Sequence, residues 1–396
     1  MSGEYPRAPQ SFILKNTGGK FIDVTDQYCP QLKNIGMGTD ALWSDFDKNG
    51  KVDLLLVGEW MPVTFLKNTG KGFIQVNKTD EINKHAGWFN SLVAFDFDND
   101  GDVDYVAGNQ GLNSNYKASM AEPMTIIAKD VDENGSLDAM VFCYMKAEDE
   151  TMQSLPVSTK DDMAAQLISI REKYPTYQSY GRATMDNLWN KKDRENAIVL
   201  IATDMQTTYI ENPGNGMFKA RPMPIEAQVT KVFGMLSDDV DGDGNLDILM
   251  VGNDYGMEPF SSRHDAFNGL YLKGDGKGDF TTMPLKNTGF CVEGDAKGLA
   301  VTHTAKNEDL LLITQNQDSL LVYAKSTTPE KNAKWINLKP DDFYPDILYK
   351  NNKKRRVEFY YGSTYLSQSS RKMFLDKDIL KMTVTNFKGV KSELVN

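Results

Sequence analysis

Carboxylate side chains recur along this chain at one fixed spacing. Four segments place aspartate at positions 1, 3 and 9, aspartate or asparagine at position 5, and glycine at position 6. In chain order these first to fourth acidic loops are residues 45–53, 96–104, 130–138 and 239–247. Alternating oxygen donors wrap around a hard cation, and glycine permits the sharp turn this requires. Because so many like charges repel one another in an empty loop, the spacing predicts metal-binding loops rather than solvated turns.

Calcium is the ion that this donor set favours. It accepts six to eight flexible oxygen ligands, whereas magnesium prefers a rigid octahedron and zinc prefers His or Cys. The three histidines, His85, His264 and His303, lie outside the loops. We therefore predict Ca²⁺ as the bound cofactor, at about four sites. The predicted ligands are positions 1, 3, 5, 7 and 9 of the loops: Asp45, Asp47, Asn49, Lys51, Asp53, Asp96, Asp98, Asp100, Asp102, Asp104, Asp130, Asp132, Asn134, Ser136, Asp138, Asp239, Asp241, Asp243, Asn245 and Asp247.

The EF-hand is the main alternative for such loops, but the flanking residues exclude it. An EF-hand needs a glutamate at position 12 and a helix on each side. Position 12 is Leu56, Ala107, Val141 and Met250 in the four loops. Short apolar runs such as Leu54–Val57 follow the loops and predict strands. The sequence thus predicts strand-loop-strand sites whose last side-chain ligand is the aspartate at position 9.

A second repeated element is a hairpin. Leu14–Ile22 and Leu66–Ile74 share the order of an apolar strand end, an Asn- and Gly-containing turn, and Phe followed by Ile. Weaker copies are Tyr209–Phe218 and Leu270–Phe280. Three of the hairpins precede an acidic loop at similar distances, so hairpin and loop form one repeating unit of about 50 residues.

These motifs resemble the FG-GAP, or VCBS, repeat, whose calcium loops are similar to those of the integrin α-subunit β-propeller. Ala41–Asp45 with Val57–Trp60, Gly252–Gly256 and Tyr361–Ser370 resemble the large VCBS-repeat proteins of Bacteroidetes. Those proteins end in an ASPIC/UnbV region related to cartilage acidic protein. The resemblance implies an all-β fold: a β-propeller of FG-GAP/VCBS blades with calcium-binding loops, a helical insertion and a small C-terminal β module. It also implies that the loop residues above are calcium ligands.

Four regions are predicted. They are propeller blades in residues 1–150, a helical insertion in 151–195, further blades in 196–334, and an ASPIC/UnbV-like β module in 335–396. The helix prediction rests on Thr159 and Asp162 as a capping pair, with Met163, Leu167 and Ile170 on one face.

Two further motifs allow a functional or a plain structural interpretation. Tyr174, Tyr177 and Tyr180 form an aromatic row that could stack on sugars, but packing of the insertion is the favoured interpretation. The basic segment Asn351–Arg355 could contact a polyanion, but a solvated hairpin turn is favoured.

Composition narrows the class of partner. The formal net charge of −11 disfavours nucleic acid, and no stretch approaches the ~20 apolar residues of a membrane-spanning helix. Cys29, Cys143 and Cys291 are too far apart in sequence for a CxxC metal site. The chain opens almost directly on a hairpin without a signal peptide, so we expect a fragment, and the sequence leaves open whether the propeller ring closes.

The predicted function is a binding or adhesion module for a protein or glycan, with calcium in a structural role. By resemblance, the location is extracellular, periplasmic or on the cell surface. No convincing catalytic set is apparent, so we expect no enzyme. One alternative is a propeller hydrolase or lyase acting on extracellular polysaccharide, which would require Arg263, His264 and Asp265 to converge with the tyrosines of the insertion. Another is a purely structural module of a longer surface protein.

Overall fold

The computed structural model describes residues 3–76, 80–257, 261–304, 308–324, 334–375 and 377–394. Antiparallel strands form most of its regular structure, and the helices are short. Strands in the first half of the chain are β1 (Leu14–Thr17), β2 (Lys20–Asp23), β3 (Met37–Ser44), β4 (Asp53–Met61), β5 (Thr64–Asn68), β6 (Phe73–Gln75), β7 (Gly87–Trp88), β8 (Ser91–Phe95), β9 (Asp104–Gly108), β10 (Met124–Lys129), β11 (Asp138–Lys146), β12 (Met152–Pro156) and β13 (Ile198–Ala202).

The second half of the chain has the same strand-rich character. Its strands are β14 (Thr208–Glu211), β15 (Lys219–Pro222), β16 (Val232–Asp238), β17 (Asp247–Gly252), β18 (Leu270–Gly274), β19 (Phe280–Met283), β20 (Ala296–His303), β21 (Asp309–Gln315), β22 (Leu321–Ala324), β23 (Lys334–Asn337), β24 (Asp342–Tyr349), β25 (Lys354–Arg356), β26 (Lys372–Leu375), β27 (Ile379–Asn386) and β28 (Lys391–Leu394). The helices are α1 (Thr25–Tyr28), α2 (Asp80–Lys84), α3 (Lys160–Gln166), α4 (Ser169–Lys173), α5 (Tyr177–Gly181), α6 (Met185–Leu188) and α7 (Leu285–Thr288), with 3₁₀ turns at Pro30–Asn34 and Ile225–Gln228.

Four blade-like sheets follow one another within the described ranges. Blade 1 is β3–β4–β5–β6 with β7 against β4, blade 2 is β8–β9–β14–β15, blade 3 is β16–β17–β18–β19, and blade 4 is β20–β21–β22. The first strands contact one another in the order β3, β8, β16, β20. This arrangement confirms the predicted all-β, propeller-like fold.

Each inner blade is buried on both faces, which explains its continuous apolar strands. In β17, Ile248 and Met250 pack in the cluster shared with blade 2, whereas Leu249 and Val251 pack in the cluster shared with blade 4. Successive side chains of a strand point to opposite faces, so one apolar run supplies two interfaces. Burial of these alternating faces holds neighbouring blades together.

A long insertion separates the second and third strands of blade 2. Residues 109–207 contain a sheet of order β12–β11–β10–β13 and the helices α3 to α6, and the third acidic loop lies in this sheet. Thr159 caps α3 by accepting a hydrogen bond from the backbone N–H of Asp162. Met163, Leu167 and Ile170 are buried against the sheet. The predicted helix cap is therefore confirmed. The predicted single helix face is wrong, because α3 ends at Gln166, Leu167 is its extended C-cap and Ile170 belongs to α4, although all three side chains share one core. The domain boundaries 151 and 195 stay a prediction.

The C-terminal region contains the sheet β25–β24–β27–β28 and the pair β23–β26. After β25 the chain leaves its sheet and passes along the first strands of all four blades; we call residues 357–370 the crossing segment. Its side chains accept hydrogen bonds from a backbone N–H in or directly after each first strand: Glu358 Oε1 from Asp45 (3.0 Å), Tyr360 Oη from Ala94 (3.1 Å), Thr364 Oγ1 from Met235 (3.2 Å) and Ser369 Oγ from Val301 (3.1 Å). One segment thus contacts every blade.

Two smaller observations complete the fold. No helix within the described ranges has the length and apolar character that crossing a bilayer requires. Cys29 and Cys143 are buried as free thiols, and Cys291 is a free exposed thiol.

Candidate metal centres

Each acidic loop joins the first strand of its sheet to the second. The aspartate at position 9 is the first residue of the second strand, namely Asp53 in β4, Asp104 in β9, Asp138 in β11 and Asp247 in β17. Each of these aspartates lies opposite the end of the first strand. This is the predicted strand-loop-strand geometry, with strands where an EF-hand has helices.

The same hydrogen bonds recur inside every loop. The backbone N–H of the position-6 glycine donates to the position-1 carboxylate: Gly50 to Asp45 (3.1 Å), Gly101 to Asp96 (3.1 Å), Gly135 to Asp130 (2.9 Å) and Gly244 to Asp239 (2.9 Å). These glycines all have positive φ, a conformation that side chains with a Cβ rarely adopt. The backbone therefore fixes one oxygen of the first carboxylate in each loop.

The folding of the loops brings carboxylates together in four groups. In each group one oxygen per residue lies within 4.8 Å of the others: Asp45, Asp47 and Asp53; Asp96, Asp98 and Asp100; Asp130, Asp132 and Asp138; Asp239, Asp241 and Asp247. Three other predicted aspartate ligands, Asp102, Asp104 and Asp243, lie outside these groups. Lys51 carries a cationic side chain, so only its backbone carbonyl is suited to a metal.

Buried oxygens without a partner show that these residues fit a cation. Asp45, Asp53 and Asp96 are 2%, 0% and 0% exposed. Within the described part of the chain, Asp45 Oδ1, Asp53 Oδ2 and Asp96 Oδ1 have no hydrogen-bond partner. An unsatisfied buried carboxylate oxygen is costly, and a divalent cation would satisfy it. Because the clustered donors are oxygens without His or Cys, the fit is to a hard ion such as Ca²⁺.

Burial changes the protonation of these loops in the absence of metal. Burial, with repulsion from neighbouring aspartates, raises the pKa of Asp53 and of Asp104 to about 8 and that of Asp96 to about 7. Removal of an ionised carboxylate from water disfavours its charged form. A metal ion entering the first or second loop would therefore displace protons at neutral pH.

Several residues that contact the loops were missed by sequence reasoning. Lys67 Nζ lies 2.5 Å from Asp47 Oδ2, and Lys273 contacts Asp241 and lies 2.8 Å from Asp243. Both lysines occupy the same position of the hairpin repeat, one residue after the leucine that ends its apolar run. Alignment of the hairpin copies shows that the two lysines are equivalent, but only the register of the folded sheet shows that they contact the loops.

The basic segment near residue 353 contacts the acidic loops. Arg355 Nη2 donates to Asn99 Oδ1 (2.8 Å) and to the carbonyl of Gly244 (2.7 Å), and Lys353 Nζ also donates to Gly244 (2.6 Å). Arg355 is 8% exposed. The favoured interpretation as a solvated turn holds for the exposed Asn351, Asn352 and Lys354, but it is wrong for Lys353 and Arg355, whose side chains pack on the acidic loops.

A polar depression of about 250 Å³ lies at the other end of the blades. It is lined by Asn113, Ser114, Asn115, Lys117, Val229, Ser261, Arg263, His264, Asp265 and Ala266. These residues follow the ends of β9 and β17 or precede β16, whereas the acidic loops precede β9 and β17. The tyrosines of the insertion do not line it: Tyr174 and Tyr180 are buried in the core of the insertion. Among the described residues, the convergence required by the polysaccharide-enzyme alternative is thus not observed.

Comparison with known families supports the repeat assignment. Residues 45–107 match the FG-GAP-like repeat family. This stretch contains the first two acidic loops and the strands that flank them. The match supports an FG-GAP repeat protein and agrees with the strand-loop-strand geometry. A comparison with curated proteins gives no match.

Proposed function

We propose that the protein is a calcium-binding β-propeller of the FG-GAP/VCBS type that serves as a binding or adhesion module for a protein or glycan. The proposal includes an ASPIC/UnbV-like C-terminal region, as in the large VCBS-repeat proteins of Bacteroidetes. It also includes a location that is extracellular, periplasmic or on the cell surface. The observation that supports it is the set of orphaned, buried carboxylate oxygens in repeated loops of an FG-GAP-like fold.

Calcium has a structural role in this proposal. Each acidic loop links two adjacent strands, so an ion bound there holds the end of one strand to the start of the next. An ion that binds the folded chain stabilises it by mass action. The ion also neutralises carboxylates whose mutual repulsion would otherwise oppose folding.

The polar depression is the proposed ligand site. Lys117 and Arg263 line it, and neither has a carboxylate within 4.0 Å among the described residues. Asn113 and Asn115 add amide donors and acceptors of the kind that bind sugar hydroxyls. Loops at one end of a rigid scaffold are common positions for binding residues. The chemistry therefore favours a glycan that carries an acidic group.

An array of defined neutral and acidic oligosaccharides tests this function. The protein with calcium should bind acidic members, and Arg263→Ala should weaken binding about ten-fold through loss of about 1.4 kcal/mol. Lys20→Gln, which removes a cation from the exposed hairpin strand β2, is the matched control and should have no effect. If the Arg263→Ala variant binds the acidic oligosaccharides as tightly as the wild type does, the proposed ligand site is wrong. If the protein releases new reducing ends from the oligosaccharides, the polysaccharide-enzyme alternative is favoured.

A further inference from the structure

One position of the blade lies across the β-ladder from the ninth residue of the acidic loop. The ladder pairs Leu54 with Leu66 in blade 1 and Ile248 with Leu272 in blade 3. One step further, the side chains beside Asp53 and Asp247 belong to Lys67 and Lys273. In blade 2 the ladder pairs Tyr105 with Ile210, so the residue beside Asp104 is Glu211. Equivalent positions thus differ in charge from blade to blade.

The two lysines contact the carboxylates that would hold the ion. Lys67 pairs with the third position of the first loop, Asp47, at 2.5 Å. Lys273 pairs with the third and fifth positions of the fourth loop, Asp241 and Asp243. The side chains of these pairs are only partly exposed, so water screens the charges less than at a fully exposed surface.

The second loop has a different electrostatic environment. Asp98, its third-position carboxylate, has no lysine or arginine within 4.0 Å among the described residues. Glu211, which replaces the lysine, pairs with Lys219 on the neighbouring strand at 2.9 Å. Lys48 approaches this loop, but it pairs at 2.7 Å with Asp102, which lies outside the carboxylate group. Arg355 approaches this loop at Asn99, but Asp98 lacks the direct lysine contact that Asp47 and Asp241 have.

We propose that Lys67 and Lys273 are tethered cations that compete with calcium, so that the first and fourth loops fill at higher calcium concentration than the second. This inference rests on the proposed calcium binding. Before Asp47 or Asp241 can coordinate calcium, the ion must displace the lysine ammonium group that contacts this carboxylate or bind beside it. Displacement breaks an ion pair, and binding beside the ammonium group places two cations close together, so both weaken calcium binding. Glu211 adds negative charge at the second loop and favours binding there. The blades therefore bind calcium in a graded order that the residue at this ladder position determines.

Calcium titration of the full chain after chelator treatment tests the proposal. Isothermal calorimetry with CaCl₂ alone should resolve sites that differ in affinity. Lys67→Gln and Lys273→Gln should each raise the affinity of one site about ten-fold, an effect of about 1.4 kcal/mol. Glu211→Lys should lower the affinity of one site by a similar factor. Asp47→Asn, Asp98→Asn and Asp241→Asn assign each transition to its loop.

Charge-conserving controls separate this effect from a change in folding. Lys67→Arg and Lys273→Arg keep the cation and should leave the affinities near those of the wild type. Lys20→Gln removes one positive charge from the exposed strand β2 and should do the same. Circular dichroism of each variant checks its fold. If the Lys67→Gln and Lys273→Gln variants fold and bind calcium with unchanged or weaker affinity, the inference about the lysines is wrong, whereas the proposed calcium binding stands. Absence of calcium binding in the wild type overturns the proposed function as well.

Discussion

The hydrogen-bond partners of the aspartate at position 9 of the acidic loops vary between blades. Tyr209 and Tyr271 donate their hydroxyls to Asp104 and Asp247 (2.7 and 2.8 Å). At the equivalent ladder position blade 1 has Phe65, which has no hydroxyl. Asp53 Oδ2 is accordingly without a partner among the described residues. The carboxylates were predictable from their spacing. Their partners were not, because these lie on a third strand whose register only the folded sheet establishes.

These buried carboxylates predict the pH dependence of the metal-free protein. The pKa of Asp53 and of Asp104 is raised to about 8 and that of Asp96 to about 7. An unfolded aspartate has a pKa of about 3.9, so between about pH 4 and 8 the folded state binds more protons than the unfolded state. The free energy of unfolding should therefore fall as pH rises from about 5 to about 8.

Urea denaturation of chelator-treated protein across this range measures the effect. Asp53→Asn should reduce the slope, since it removes one of the raised groups. Asp26→Asn, at an exposed position, should leave the slope unchanged. A free energy of unfolding that rises with pH over the same interval would contradict the assignment.

At the element scale, the insertion shows what local pattern can and cannot predict. The cap at Thr159 was predictable because it depends on residues within one turn. The break at Leu167, which divides the predicted helix into α3 and α4, was not. The sheet β12–β11–β10–β13 was not, since β10 pairs with β13 across about 70 residues of intervening chain. The favoured packing role of the tyrosine row holds for Tyr174 and Tyr180, whereas Tyr177 is 67% exposed.

Replacement of these tyrosines should separate packing from surface exposure. Tyr174→Ala removes a buried ring that packs edge-on against Tyr180, so we expect a loss of about 3 kcal/mol in the free energy of unfolding. Tyr177→Ala is the matched control: it removes an exposed ring and a hydrogen bond to Asp161, and should cost less than about 1 kcal/mol. Urea denaturation monitored by circular dichroism measures both. Similar losses for the two variants would contradict the packing role.

In the molecule as a whole, the crossing segment joins the blades to the C-terminal region, which the sequence predicts as separate regions. Its contacts connect residues more than one hundred positions apart, as between Tyr360 and Ala94. No local periodicity encodes such a contact, so the C-terminal region was predicted only as a small β module. The hairpin of β24 and β25 was predictable, but β25 ends at Arg356 because the following residues pair with the blades instead.

Tyr360→Phe tests the link between the crossing segment and the blades. The change leaves the buried N–H of Ala94 without its acceptor, so we expect a loss of about 1–3 kcal/mol in the free energy of unfolding. The neighbouring Tyr361→Phe removes an exposed hydrogen bond to the carbonyl of Pro340 and should change stability by less than about 0.5 kcal/mol. Denaturant unfolding of both variants provides the comparison, and equal effects would contradict a specific role for Tyr360.

Metal content and thermal stability, measured together, test most directly whether the acidic loops bind structural calcium. The protein is purified without added metal, its bound calcium is measured, and its melting temperature is recorded with excess calcium and with chelator. The four acidic loops should hold about four bound ions, and calcium should raise the melting temperature, because a site at one hundred times its Kd adds about 2.7 kcal/mol. A chain that binds no calcium and melts at the same temperature in both conditions would contradict this prediction.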